Sequence, residues 1–307
     1  MGGYSIQELS SIIAMQGFAG ISLFSVLLLM ALGLAIIFGQ MGVINMAHGE
    51  FMAVGAYTTY MLSVLAENAG AGFVSAYFPF AIVASFLIAG LLGFLMEWLL
   101  IRHLYSRPLD TLLATWGLSL IMQQSFRSLF GAREVSPALP EWLMGSWTPT
   151  ESIFIPINGM YILGLTALVT FGVFTLMFKS PWGLKVRATT QNRMMAGAVG
   201  INTKMVDRMT FALGCGIAGI AGAAFTTIAS TGPTSGSLYI VDTFMVVVFG
   251  GAASLFGTIA SAFTIAQAQS ILEFFMSGSM AKVFTLMTLV VILLMRPEGL
   301  FASRIRK

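Results

Sequence analysis

The chain has 307 residues, 57% of them hydrophobic and only 9% charged, and its mean hydropathy is +0.90. Soluble domains carry about a quarter charged residues, so this composition excludes a water-soluble protein. The net charge of +3 does not point to nucleic acid, because the basic residues fall between apolar runs instead of along one polar face.

Apolar residues come in runs of about twenty, the length an α-helix needs to cross roughly 30 Å of hydrocarbon. Ile21 to Gly39 and Phe284 to Met295 are apolar on every face, unlike the alternating segments of a barrel. The predicted fold is therefore all-α, a polytopic integral membrane protein with about 8–9 transmembrane helices forming one domain over 1–307. No polar stretch approaches the roughly 50 residues of an independent soluble domain.

In chain order, Met1 to Ala19 contains Glu8 but no Lys or Arg, so it lacks the basic region of a cleaved signal peptide, and the first helix is expected to stay. Charges, Pro and Gly then bound nine apolar segments near 18–40, 43–65, 74–101, 110–131, 157–179, 207–230, 238–257, 258–277 and 280–296. Two of them, 43–65 and 238–257, are short enough to be broken or re-entrant.

Charge placement sets the sidedness. No Lys or Arg precedes Arg102, and twelve of the fifteen lie at Arg102/Arg107, Lys179 to Arg208 and Arg296 to Lys307, which should face the cytoplasm. Arg127, Arg133 and Lys282 fall on the other side. Nine crossings then put the N-terminus outside and the C-terminus inside. The external 131–156 segment, with Trp142 and Trp147, either docks a partner or lies along the interface as an aromatic belt. Cys215, the single cysteine, precludes an intramolecular disulfide and suits helix packing, as do Gly214, Ala218 and Gly222 at four-residue spacing.

Three polar stretches stand out. Gly39 to Glu50 places Asn45, His48 and Glu50 inside an apolar region, where glycine permits unwound backbone facing a polar cavity. A cytoplasmic hairpin with Asn45 and His48 as helix caps is the alternative. Ser230 to Ser237 echoes the first stretch: a small-residue interruption holding Thr231 and Ser235 precedes a short apolar helix bearing Asp242. Two pseudo-symmetric halves with interrupted helices follow, with a solute path between them. Each carboxylate also has a plainer use, complementing the helix dipole. Glu97 and Glu273 stand alone in apolar runs and should face a cavity, a partner or an interface. The third stretch, Lys185 to Asn202, reads as one short cytoplasmic helix. Small and apolar Ala188, Met195, Ala196 and Val199 lie beside Arg187 and Arg193, with Gly200 as its stop, and it suits either a protein groove or lipid headgroups.

Gly33 to Gly39, Gly42 to Glu50 and Gly55 to Tyr57 together resemble the N-terminal signature of permease subunits in the urea and branched-chain amino-acid family of ABC importers. Arg187 to Arg193 with Gly200 and Ile201 is similar to that family's coupling segment, and Val247 to Gly251 with Leu255 to Thr258 to its C-terminal signature. The similarity covers nearly the whole chain. Arg107 to Gln124 and Tyr239 to Met245 look closest to the urea-type permease, so urea or a related short amide is the first expected solute and a branched-chain amino acid the second.

The resemblance implies a bacterial inner-membrane permease working with a second homologous permease, two cytoplasmic ATPase subunits and an extracytoplasmic solute-binding protein. It assigns ATPase coupling to Arg187, Gln191, Asn192, Arg193, Gly200 and Ile201. Beside it, the polar stretches offer Asn45, His48, Glu50, Thr231, Ser235 and Asp242 as path-lining residues. No Gly-x-x-x-x-Gly-Lys-Ser/Thr loop occurs, so the chain is expected to bind no cofactor, with ATP held by its partners, and to catalyse no bond chemistry. A passive channel and an ion-driven carrier are the rival classes.

Overall fold

The computed structural model describes residues 6–105, 107–150, 153–251, 254–296 and 299. The basic residues beyond Arg296 and Glu151 of the external segment lie outside the described residues. The helices are α1 (Ile6–Met41), α2 (His48–Ala69), α3 (Ala71–Leu99), α4 (Pro108–Phe130), α5 (Ile157–Lys179), α6 (Pro181–Gln191), α7 (Arg193–Ala198), α8 (Thr203–Phe225), α9 (Ser235–Gly250), α10 (Leu255–Phe275) and α11 (Gly278–Met295).

Six of these elements are long and apolar enough to cross a membrane: α1, α3, α5, α8, α10 and α11. The mostly helical, polytopic character predicted from the sequence holds. One departure from an all-helical chain is a small hairpin, β1 (Ser146–Thr150) and β2 (Ile153–Pro156), paired antiparallel with Trp147 opposite Ile155. Its reason is local, since Pro149 and Pro156 lack the N–H groups a helix uses and the intervening β-branched residues favour extended backbone.

Several boundaries differ from the sequence reading. α1 begins at Ile6, not near 18, and its 36 residues make it about 54 Å long, well beyond the hydrocarbon thickness. It stops at Gly42, whose φ of +65° suits glycine. α2 starts at His48 after the unwound stretch 42–47, and α9 ends at Gly250, seven residues short of the expected limit.

The two ends of the bundle are distinct. At one end Thr190 donates to Gln40 (2.8 Å), Arg193 to Asp207 and Arg208 to Glu97 (3.2 Å). At the other, Val135 and Thr231 exchange backbone hydrogen bonds (2.9 Å), Tyr77 donates to the Ala138 carbonyl (2.8 Å), and Lys282 reaches the Leu238 carbonyl (2.9 Å). Arg193 and Arg208, expected to share one face, lie at the first end, and Lys282, expected on the other, lies at the second.

α1 and α8 form the centre. They cross at Gly33 and Gly214, where a Cβ on Gly33 would lie 2.4 Å from the Gly214 carbonyl oxygen and one on Gly214 2.6 Å from that of Gly33. The four-residue row of small side chains on α8 is thus spent within this chain, and Cys215 is buried, with Gly93 of α3 in tight contact. Packing pairs repeat: α3 lies on α8 as α10 lies on α1, α2 on α8 as α9 on α1, and α2 on α3 as α9 on α10.

Candidate functional site

The first turns of α2 and α9 meet in the middle of the bundle. A Cβ on Gly49 would stand 2.2 Å from the Gly236 carbonyl oxygen, and one on Gly236 2.4 Å from that of Gly49, so the backbones touch without intervening side chains. The two interruptions found in the sequence therefore lead to one place, which joins the α2 start to the Ser235 end of α9.

Around it, the N-terminal cluster is fully buried and only partly satisfied. Asn45 Oδ1 accepts from the Ala47 amide (3.0 Å), an Asx-type turn that ends the unwound stretch, while its Nδ2 has no protein partner. His48 Nε2 lies 3.2 Å from the Met30 carbonyl oxygen, and its Nδ1 is unpaired. Glu50 Oε1 accepts from Ser119 Oγ (3.0 Å) and Gln123 Nε2 (2.8 Å), and Oε2 has no partner. Buried polar atoms are normally paired, so three orphans on neighbouring residues single this cluster out as the candidate site.

The second cluster is more dispersed. Ser235 Oγ accepts from the Gly232 amide (2.9 Å), closing the turn before α9. Thr231 is held by its backbone at the Val135 end of the bundle, with its buried hydroxyl unpaired. Asp242 faces away toward α11, where Lys282 Nζ lies 2.7 Å from Oδ2. Its carboxylate is thereby neutralised within the chain. The structure thus gathers Asn45, His48 and Glu50 with the Ser235 end, and holds Thr231 and Asp242 by other contacts.

Two residues that the sequence reading left out reach the cluster. Ser119 and Gln123 belong to a row with Thr111 and Thr115 at four-residue spacing along otherwise apolar α4, and Thr115 Oγ1 accepts from the Met46 amide (3.1 Å). That polar stripe is the signal that could have found them. One turn on, Phe126 and Phe130 stack on Tyr57 with centroids 5.0 and 4.2 Å away.

Neither isolated glutamate lines a solute cavity in the bundle centre. Glu97, 1% exposed, is tied to Arg208 and accepts from the Tyr105 hydroxyl (2.8 Å), joining α3 to α8 at the basic end. Burial, with Asp207 and Glu97 beside it, holds the Tyr105 phenol above its ordinary value, so it stays a donor. Glu273 is exposed, with Gln269 as its hydrogen-bond donor (3.1 Å).

The single cytoplasmic helix expected over 185–202 is two helices. Asn192 is extended (φ −154°, ψ 100°) and its side chain accepts from the Met195 amide (3.0 Å), ending α6 and capping α7 at once. This splits the expected face: Ala196 is buried, while Met195 and Val199 are 62% and 74% exposed. Gly200 (φ +87°) ends α7 in a Schellman turn, with the Ile201 amide donating to Ala196 (3.0 Å) and the Ile201 side chain against the core. Arg187 donates to the Met177 carbonyl and lies over the Phe178 ring, whereas Gln191 is exposed. Two ties fasten the segment to the central helices, Thr190 to Gln40 of α1 and Arg193 to Asp207 of α8.

A bundle with six helices long and apolar enough to span a membrane, and with two interrupted segments meeting inside it, has the architecture that membrane transport proteins use. Residues 17–293 match the family model described as branched-chain amino acid transport system / permease component, and the chain belongs to that family. It is 29% identical to the high-affinity branched-chain amino acid transport system permease protein LivH of Escherichia coli K12, over 93% of this chain and 94% of that protein. It is 26% identical to BraD of Pseudomonas aeruginosa, over 92% and 93%, and 26% identical to LivM of E. coli K12, over 89% and 67%. No solved structure matches. The chain is a permease component and not an enzyme. The urea-type subdivision finds no support here, since these relatives carry branched-chain amino acid names.

Proposed function

We propose that this chain is one of two translocation subunits of an ATP-driven importer of branched-chain amino acids in a bacterial inner membrane. The observation that carries the reading is the meeting of α2 and α9 at Gly49 and Gly236 beside unpaired groups of Asn45, His48 and Glu50. The repeated packing pairs support two inverted halves, with α1 to α4 answering α8 to α11. Counting α2, α4 and α9 with the six helices long and apolar enough to span gives nine crossings, an external N-terminus and a cytoplasmic basic end.

Two ATPase subunits would dock on α6 and α7, where Met194 and Val199 are exposed, and a solute-binding protein on the 131–156 face. ATP binding would then displace α6 and α7 together. Through Arg193–Asp207 and Thr190–Gln40 that displacement reaches α8 and α1, the two helices that cross at Gly33 and Gly214. Rocking one half against the other opens the path at the α2/α9 junction. Asn45, His48, Glu50 and Ser235 would offer hydrogen bonds to the amino-acid backbone, with Thr231 farther along, while Asp242, paired with Lys282, braces α9 against α11.

A second reading, urea or a short amide as solute, rests on the sequence resemblance alone. Ser119 and Gln123, which hold Glu50, fall in the 107–124 stretch that resembles urea-type permeases. Uptake of labelled leucine and of labelled urea into vesicles carrying the complete importer separates the two. Leucine uptake that needs ATP and the binding protein is the expected result. Saturable ATP-driven urea uptake without leucine uptake would replace it with the second reading, and equilibration without ATP would mean a channel.

A further inference from the structure

At the basic end of the bundle a polar cleft of about 360 Å³ is lined by Glu97, Arg102, Tyr105, Arg193, Lys204, Asp207 and Arg208, with His103 at its edge. Its two carboxylates are already satisfied: Arg208 pairs with Glu97 (3.2 Å) and Arg193 with Asp207. Arg102 and Lys204, both exposed at the rim, make no ion pair among the described residues. Arg102 Nε donates to His103 Nε2 (3.1 Å), which leaves the guanidinium NH groups free. The cleft therefore presents two unneutralised cations converging over a floor whose own charges cancel.

Its position says what would fill it. Glu97 is in the last turns of α3 and Arg208 in the second turn of α8, where apolar spans give way to basic residues. Inward of the cleft on the same helices Leu91 and Leu95 of α3 and Met209 of α8 are exposed, so apolar surface lies on its membrane side. Arg193, the first residue of α7, forms one wall. Basic pockets between helix ends on the cytoplasmic side suit phosphate-bearing headgroups, and long apolar chains need the adjoining exposed surface.

We infer that this cleft binds the phosphate of an anionic phospholipid of the inner leaflet through Arg102 and Lys204, with its acyl chains along Leu91, Leu95 and Met209. The headgroup completes the charge of the cleft and braces α7 through Arg193. A free phosphate offers the same anion chemistry without the acyl chains. The inference holds whichever solute the permease carries.

The test is native mass spectrometry of the purified importer from nanodiscs of phosphatidylcholine alone or mixed equally with phosphatidylglycerol. The wild type should keep a phosphatidylglycerol adduct through detergent exchange, and R102A/K204A should hold it on the order of tenfold more weakly. R102K/K204R should restore it, and R127A/R133A, at the opposite end, should leave it unchanged. Equal retention by wild type and R102A/K204A overturns the proposal. Inorganic phosphate displacing the lipid, or binding equally in phosphatidylcholine discs, would make the cleft a soluble-anion site and overturn the lipid assignment. Retention by the isolated permease but not by the complete importer would assign the cleft to an acidic segment of the ATPase and overturn it as well.

Discussion

Gly49 and Gly236 touch backbone to backbone, each within 2.4 Å of where the other's side chain would begin. Gly49→Ala or Gly236→Ala must therefore separate α2 from α9, and overpacking of this kind costs about 1–3 kcal/mol. Gly172 of α5, with nothing within 4 Å of a built Cβ, is the control. Thermal unfolding in detergent should show a lower Tm for either junction variant, while Gly172→Ala should be neutral or slightly stabilising.

Glu50 is the point where α4 holds the start of α2. Gln123→Leu removes one of the two donors to its Oε1, and hydrogen bonds to charged groups are worth roughly 1.5–3 kcal/mol. Uptake should fall, and Gln123→Glu, which sets a second carboxylate beside the first, should be worse. The exchanged pair Glu50→Gln with Gln123→Glu should recover part of the loss. An exchange no better than Gln123→Glu alone would mean that the two side chains do not act as a pair.

Asn192 serves α7 through its cap, and losing a cap costs about 1 kcal/mol. Asn192→Ala should lower uptake while the partner ATPase continues to turn over, because α6 and α7 would tend to fuse into one helix. Asn192→Asp should restore coupling, since a carboxylate caps equally well. Failure of Asp to rescue would assign Asn192 a direct partner contact in place of capping.

Lys282 neutralises buried Asp242, so removing the lysine alone strands a carboxylate. Lys282→Ala should destabilise the protein more than the double variant Lys282→Ala/Asp242→Asn does, as read by Tm in detergent. If Asp242 instead meets solute directly, Asp242→Asn should alter solute affinity without that stability pattern.

Much of this molecule was legible before folding was considered. The apolar runs and the polar stretches at 42–50 and 230–237 are local properties, and each appears in the structure near the place assigned to it. Asn192 was legible in principle, because asparagine prefers helix caps, but the continuous small and apolar spacing on either side favoured a single helix. The Glu50 partners were harder. The four-residue polar row of α4 shows that one face differs, without showing which helix it meets.

Sequence alone determined that the chain lives in a membrane, that twelve of its fifteen basic residues fall in three stretches between apolar runs, and that two segments break their helices, because hydrophobicity, charge and glycine act through nearest neighbours and solvent. Only the tertiary structure decided that Gly49 meets Gly236, that Ser119 and Gln123 hold Glu50, and that Lys282 takes the charge of Asp242. Those pairings depend on which backbones approach closely enough to pack, and that is set by the shapes of residues far apart in the chain.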